Sequence, residues 1–256
     1  MDFIISACTD IGISKDTNQD SLSVKKIKTK TGNVVFAILC DGMGGLSSGE
    51  VASASVIYAF NNWVFNSLPL LCESGRVEDS VIRRQWEEII TSQNEKIKIY
   101  GNSRQINLGT TAVVMLLTES RYYIMNVGDS RAYEIGEDIV QLTVDQTVVA
   151  REVAAGKITE EQARVDNRRS ILLQCVGASD KVYPEMFFGD VKQNATYMIC
   201  SDGFRHEINN SEIYEKFQPN MLHNEDDMRN NTLYLIELNK QRKERDNISV
   251  ALVRTF

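Results

Sequence analysis

The chain has 256 residues, 43% of them hydrophobic, with a formal net charge of −7 and a sequence pI of about 5.1. That length supports one substantial core, and the acidic balance argues against a nucleic-acid backbone as ligand, because phosphate binding needs a basic surface. No apolar run nears the roughly 18 residues of a membrane helix, and the N-terminal MDFIISACTD lacks the basic start of a signal peptide.

The elements begin with strands. β-rich runs predict them over 3–8, 20–28 and 33–40, with the TGN triplet placing a hairpin turn at Gly32 and Asn33. The basic run Lys25–Lys30 reads as the solvated face of that hairpin. Residues 48–66 show helical spacing at Val51, Ala54, Ser55, Tyr58, Ala59 and Asn62, with Pro69 just past their end. A second helix is predicted over 77–100 from Val81, Trp86, Ile89, Ile90, Ile97 and Tyr100. Four strands follow at 109–117, 121–128, 130–135 and 138–142, with connections too short for crossover helices, so antiparallel pairing is expected. Residues 145–180 are polar and mixed, with a helix over 145–155 and a short one from the N-cap Thr159. Strands at 182–188 and 195–201, helices at 210–217 and 226–241, and a strand at 247–254 complete the chain. Strands and helices come in blocks rather than alternating, which predicts an α+β fold in one domain, 1–256.

Four aspartates close apolar runs: Asp41 after VVFAILC, Asp129 after YYIMNVG, Asp202 after ATYMICS, and Asp246 before NISVALV. A carboxylate at the lip of a buried strand is unfavourable unless its charge is compensated. Four of them suggest distant segments converging on hard cations through oxygen ligands. In CDGMGG (Cys40–Gly45) the glycines let the backbone turn and approach a ligand, so the Gly42 carbonyl is a candidate donor beside Asp41. CSDGF (Cys200–Phe204) repeats the strand-end Asp-Gly arrangement. With only two histidines, His206 and His223, an all-oxygen site favours Mg²⁺ or Mn²⁺ over Zn²⁺. His206 itself reads as a helix-entry residue. DIGISKDTNQD (Asp10–Asp20) adds the cation Lys15, able to hold a phosphate, and the oxygen donors Asn18, Gln19 and Asp20. The five cysteines are odd in number and form no CxxC, which fits a reducing compartment and a cytoplasmic protein.

The motifs DIGISKDTNQDSL, CDGMGG, GTTAVV, NVGDSRAY, LTVDQT, CSDGF and DNISVALV, in this order from about residue 5 to 254, resemble the metal-dependent serine/threonine protein phosphatases (the PPM, or type 2C, family), in the bacterial branch. The resemblance implies two antiparallel sheets packed face to face with helices on both outer faces. It implies hydrolysis of phosphoserine and phosphothreonine in proteins, with a water activated by a dinuclear Mn²⁺ or Mg²⁺ centre. Asp41 would bridge the two ions, Gly42 would complete one, and Asp202 and Asp246 would hold the other. Asp129 and Asp202 would form a weaker third site, and Asp20 would act through ordered water. Lys15 stands where many members carry a phosphate-clamping Arg, and Gln19 where many carry a Glu ligand. Met43 stands where eukaryotic members carry a histidine proposed as general acid. Residues 145–180 match a mobile flap beside the site. A cognate Ser/Thr kinase is the partner implied, with no nucleic acid and no membrane, and the protein is expected to be a monomer. A non-catalytic module keeping the fold and a two-metal nuclease are the competing readings.

Overall fold

Three apolar layers organise the chain, and the two-residue period of its strands decides which side chain enters which layer. The computed structural model describes residues 1–30, 32–44 and 48–256; Gly45 of the CDGMGG motif and Thr31 of TGN lie outside them. In chain order the elements are β1 (Phe3–Asp10), β2 (Ser21–Thr29), β3 (Gly32–Cys40), β4 (Gly42–Gly44), α1 (Gly49–Asn66), α2 (Leu68–Glu73), α3 (Asp79–Arg104), β5 (Leu108–Thr110), β6 (Ala112–Leu117), β7 (Arg121–Val127), β8 (Arg131–Ile135) and β9 (Ile139–Gln141). They continue with α4 (Val148–Ala154), α5 (Glu160–Val165), β10 (Glu185–Asp190), β11 (Thr196–Cys200), α6 (Asp202–Arg205), α7 (Asn210–Phe217), α8 (Glu225–Gln241) and β12 (Ile248–Thr255).

Two five-stranded antiparallel sheets result, ordered β1-β12-β11-β8-β9 and β10-β7-β6-β3-β2. On β3, Val34, Phe36 and Ile38 face the helices α1–α3, while Val35, Ala37 and Leu39 face the other sheet. On β12, Val250 and Leu252 face α6–α8, and Ala251 and Val253 enter the layer between the sheets. Strands buried on both faces read as continuous apolar runs, which is why they stand out in the sequence. Phe36, Phe60, Trp63 and Trp86 pack ring to ring, with Trp63 and Trp86 centroids 5.6 Å apart, and fix α1 and α3 to the sheet. Truncating such a ring to Ala costs about 3–5 kcal/mol. The α+β sandwich flanked by helices is the expected architecture. No helix among the described residues is long and apolar enough to cross a membrane.

Three local expectations are corrected. Thr29 pairs with Gly32 and Lys28 with Asn33, so Gly32 and Asn33 belong to β3 and the turn falls one step earlier. The buried side of α1 is Ala52, Val56, Phe60, Trp63 and Val64, whereas Tyr58 is 71% exposed. Pro69 lies just past the end of α1, as expected, and there opens the first turn of α2, where its missing N–H leaves nothing unpaired. The strand predicted over 109–117 breaks at Thr111, which donates its amide to Asp41 O (2.9 Å) and accepts the Asp41 amide on its hydroxyl (3.0 Å). The break lets β5 pair with β4 in a separate two-stranded ribbon.

Candidate functional site

The sheet register brings the aspartates to one end of the sandwich. Ser21 pairs with Cys40, so Asp20 and Asp41 leave neighbouring strands β2 and β3 side by side. Cys200 pairs with both Val250 and Arg131, so the chain around Asp202, Asp246 and Asp129 leaves β11, β12 and β8 together. Asp41 comes from one sheet, Asp202 and Asp246 from the other, and Asp129 from the link β7–β8 that joins them.

Their charges crowd one another. Burial, then Asp20, Asp202, Asp246 and Asp129, push the Asp41 carboxyl well above its ordinary range. Its outer edge still reaches solvent although protein surrounds it closely. Burial and the nearby Asp202 and Asp246 carry Asp20 to about 7. The Ser249 and Ser201 hydroxyls ease the Asp20 charge, yet neither oxygen of that carboxylate closes a hydrogen bond of normal geometry. Ser249 Oγ is 2.7 Å from Thr9 Oγ1, and Ser201 Oγ accepts the Ser249 amide, which accounts for their engagement elsewhere. Asp202 Oδ1 is likewise buried without a partner. Three orphaned carboxylate oxygens, two on Asp20 and one on Asp202, suit hard divalent ions such as Mn²⁺ or Mg²⁺. Among the described residues no three His, Cys, Asp or Glu side chains already form a closed ion cage. One counter-charge is the Lys15 ammonium, 3.0 Å from Asp246 Oδ1 and near Asp41 and Asp202.

Two glycines permit the close approaches on which this geometry depends. A Cβ on Gly42 would fall 2.3 Å from Gly49 O and 2.5 Å from Gln19 O. Gly12 has φ +77°, and a Cβ there would meet Asp246 O at 2.4 Å, so the loop carrying Lys15 lies directly on the Asp246 backbone. Gln19 supports the floor through its main chain: its carbonyl accepts from the Gly42 amide (3.2 Å) and from Ser53 Oγ (2.7 Å), and its amide donates to Asn247 Oδ1 (2.9 Å). Its side-chain nitrogen faces Gly49 at the start of α1.

A second ring of charges braces the first, and the sequence did not single it out. Arg131 grips Asp145 with two hydrogen bonds of 2.7 Å, rather than satisfying the neighbouring Asp129. Arg205, at the end of α6, donates to the Asp129 carbonyl (3.0 Å) and stands 3.7 Å from Asp129 Oδ2 and 3.5 Å from Asp145 Oδ2. His206 closes α6 rather than entering a helix. Its Nε2 is 3.4 Å from Asp202 Oδ2 and its Nδ1 3.5 Å from Glu244 Oε2. Burial opposes charge on this imidazole, but Glu244 and Asp202 outweigh it and raise its pKa. Arg205 directly follows CSDGF and Glu244 precedes Asp246 by two residues. Adjacency to the motifs was the available signal.

Residues 145–180 form a lobe beside the cluster. It is tied at its base by Val148 N to Ile171 O (2.9 Å) and Leu173 N to Gln146 O (2.7 Å), and α5 within it buries no residue. A cavity of about 810 Å³ opens at the edge of this lobe, lined by Gln146, Leu173, Gln174 and Tyr183, and not over the aspartates.

The chain matches the family profile described as protein phosphatase 2C over residues 13–241. It is 32% identical over 252 residues to a 2C-type protein phosphatase of Streptococcus pyogenes, covering 97% of this chain and 96% of that one. The "Serine/threonine phosphatase stp" of Listeria innocua is 32% identical over 81% of this chain and 80% of its own. The serine/threonine phosphatase of S. agalactiae superposes with a TM-score of 0.83 at 30% identity, covering 99% of this chain and 100% of that one. The catalytic domain of PstP, whose crystal structure contains two manganese ions, superposes at 0.77 with 25% identity, covering 98% of this chain and 97% of that one.

Proposed function

Because the chain belongs to the protein phosphatase 2C family and is a metal-dependent serine/threonine protein phosphatase, we propose that Asp41, Asp202 and Asp246, with the Gly42 carbonyl, hold its two divalent ions. The observation that carries this assignment is the convergence of carboxylates on Asp41, whose charge is crowded by Asp20, Asp202, Asp246 and Asp129, beside an Asp202 oxygen buried without a hydrogen-bond partner. When bound, such ions acidify a water and offset the charge that builds on a transferring phosphoryl group.

The residues of the chain then have separate tasks. Asp20, buried and flanked by the Ser201 and Ser249 hydroxyls, acts through ordered water at the floor of the cleft. Lys15 orients the phosphate. Its ion pair with Asp246 is more than a third exposed on both sides, a kind of contact worth only about 0–1 kcal/mol, so its ammonium is released readily to an incoming anion. Lysine offers a point charge in place of the guanidinium fork, so the phosphate is attracted more than it is aligned. Gln19 contributes donors without negative charge and fixes the Gly42 backbone. Met43 has no proton to give, which leaves the departing alkoxide to be protonated by solvent in the cleft.

The substrates are phosphoserine and phosphothreonine proteins, and because such esters arise by transfer from a nucleotide, a Ser/Thr kinase is the partner whose products this enzyme removes. We assign the whole chain to one catalytic domain acting as a monomer in the cytoplasm, with residues 145–180 as a flap that moves to admit phosphoprotein. The weak internal packing of α5 supports that motion. The test is hydrolysis of p-nitrophenyl phosphate and a phosphothreonine peptide by purified protein with Mn²⁺. Asp41→Asn and Asp202→Asn are expected to abolish it. Metal-dependent turnover surviving both substitutions overturns the assignment of the centre.

A further inference from the structure

Asp129 was expected, with Asp202, to hold a third ion, but the structure gives that aspartate a protein cation. Arg205 donates Nη2 to the Asp129 backbone carbonyl at 3.0 Å and stands 3.7 Å from Oδ2 of its carboxylate. The guanidinium is 13% exposed, and its Nε is buried without any hydrogen-bond partner. The guanidinium hydrogen-bonds through Nη2 while its Nε stays unpaired, and its charge faces the carboxylates of Asp129 and Asp145. Arg131 and Arg205 face Asp129 and Asp145 through the Arg131–Asp145 and Arg205–Asp145 contacts, and Asp202 adds a further negative charge beside Asp129.

We infer that Arg205 takes the place of a third metal ion in this enzyme, which therefore works with two ions and keeps Asp129 out of the metal shell. A divalent ion at Asp129 would stand against the guanidinium of Arg205, and like charges at that distance repel. Arg205 is also the residue after Phe204 on the short helix that begins at Asp202, so the cation is delivered by the segment that carries a proposed ligand. Its role is positioning: it pins the link β7–β8 against α6 and sets the field at one edge of the cluster.

This inference rests on the two-ion reading above, and counting bound Mn²⁺ by electron paramagnetic resonance separates the two. Wild-type protein is expected to bind two Mn²⁺ per chain at saturation, and Asp129→Asn to bind two as well. Arg205→Leu is expected to gain a third, weaker ion, which Arg205→Leu/Asp129→Asn loses again, while Arg205→Lys stays at two. Three ions in the wild type, one of them lost in Asp129→Asn, overturn the inference and leave the two-ion centre standing. So does Arg205→Leu remaining at two. A wild type that binds no Mn²⁺ overturns the centre itself and this inference with it. Should Arg205→Leu fail to fold, the wild-type and Asp129→Asn counts decide, since Asn keeps the shape of Asp129 and leaves its backbone carbonyl to Arg205.

Discussion

Glu244 faces His206 at 3.5 Å through one carboxylate oxygen and, through the other, accepts the amide of Asp246 at 2.8 Å. The same oxygen also accepts the Arg245 amide at 2.7 Å. Since His206 reaches Asp202 on its far side, one carboxylate ties the loop of one proposed ligand to the side chain of another. Outer partners of this kind typically carry 10–100-fold in metal affinity. Glu244→Ala is expected to weaken Mn²⁺ binding within that range, and Glu244→Gln, which keeps an amide acceptor, to lose less. Titration calorimetry checks this, and equal affinities for wild type and Glu244→Ala would show the brace to be dispensable.

Asp41 is unfavourable to the metal-free fold, because its charge is surrounded by four other carboxylates. Asn at this position removes the repulsion while keeping the shape. We expect Asp41→Asn to be about 1–3 kcal/mol more stable than wild type in EDTA, and to gain nothing from Mn²⁺. Wild type should gain about 2.7 kcal/mol at a hundredfold excess over Kd. Urea melts with and without Mn²⁺ measure both; a less stable metal-free variant contradicts the reading.

Asp145 sets a pH dependence at the acid side. Burial alone would raise its carboxyl, but Arg205 and Arg131 outweigh it and hold the pKa below the ordinary value. A carboxylate depressed in the folded state adds stability above its unfolded pKa of about 3.9, and loses it as the pH falls through the folded value. Asp145→Asn is therefore expected to cost about 2–3 kcal/mol at neutral pH, where it leaves two partly buried arginines short of a partner. The difference from wild type should shrink steadily below about pH 4. Thermal melts from neutral to acid pH test the sign: a gap that widens in acid rules it out.

Lys15 is expected to separate binding from folding. Lys15→Met should raise KM for a phosphothreonine peptide by about tenfold, the cost of one charge-assisted contact, with a change in stability below about 1 kcal/mol. Lys15→Arg should lower KM by supplying a fork to the phosphate. Steady-state kinetics on the folded variants decide, and an unchanged KM in Lys15→Met would remove this residue from the site.

The aspartates were legible because each interrupts a run of residues buried on both faces, and few structural reasons tolerate a charge there. The buried face of α1 was not, since small and apolar residues lie on both sides of that helix; Val51 and Ala54 compete with Ala52 and Val56, and only the aromatic cluster of Phe60, Trp63 and Trp86 settles which way it turns. The break at Thr111 was hidden because a threonine in a β-rich run looks like strand until its hydroxyl meets the Asp41 amide, 70 residues away in sequence. Arg205 and Glu244 had no readable partners either. An isolated charge in a sequence reads as solvated surface, and Arg205 acquires Asp129 and Asp145 only from segments 76 and 60 residues distant.

The order of strands in the first sheet has a consequence during synthesis. β1 is made some 240 residues before β12, its sheet neighbour, and β12 also carries Asp246 at its entrance. A ribosome-bound chain that has emerged as far as α8 already possesses Asp41, Asp129 and Asp202, yet its first strand has nothing to pair with and its cluster lacks a member. A product that stops before β12, however much of the sandwich it has assembled, lacks both the partner strand of β1 and the Asp246 carboxylate proposed to hold a metal ion.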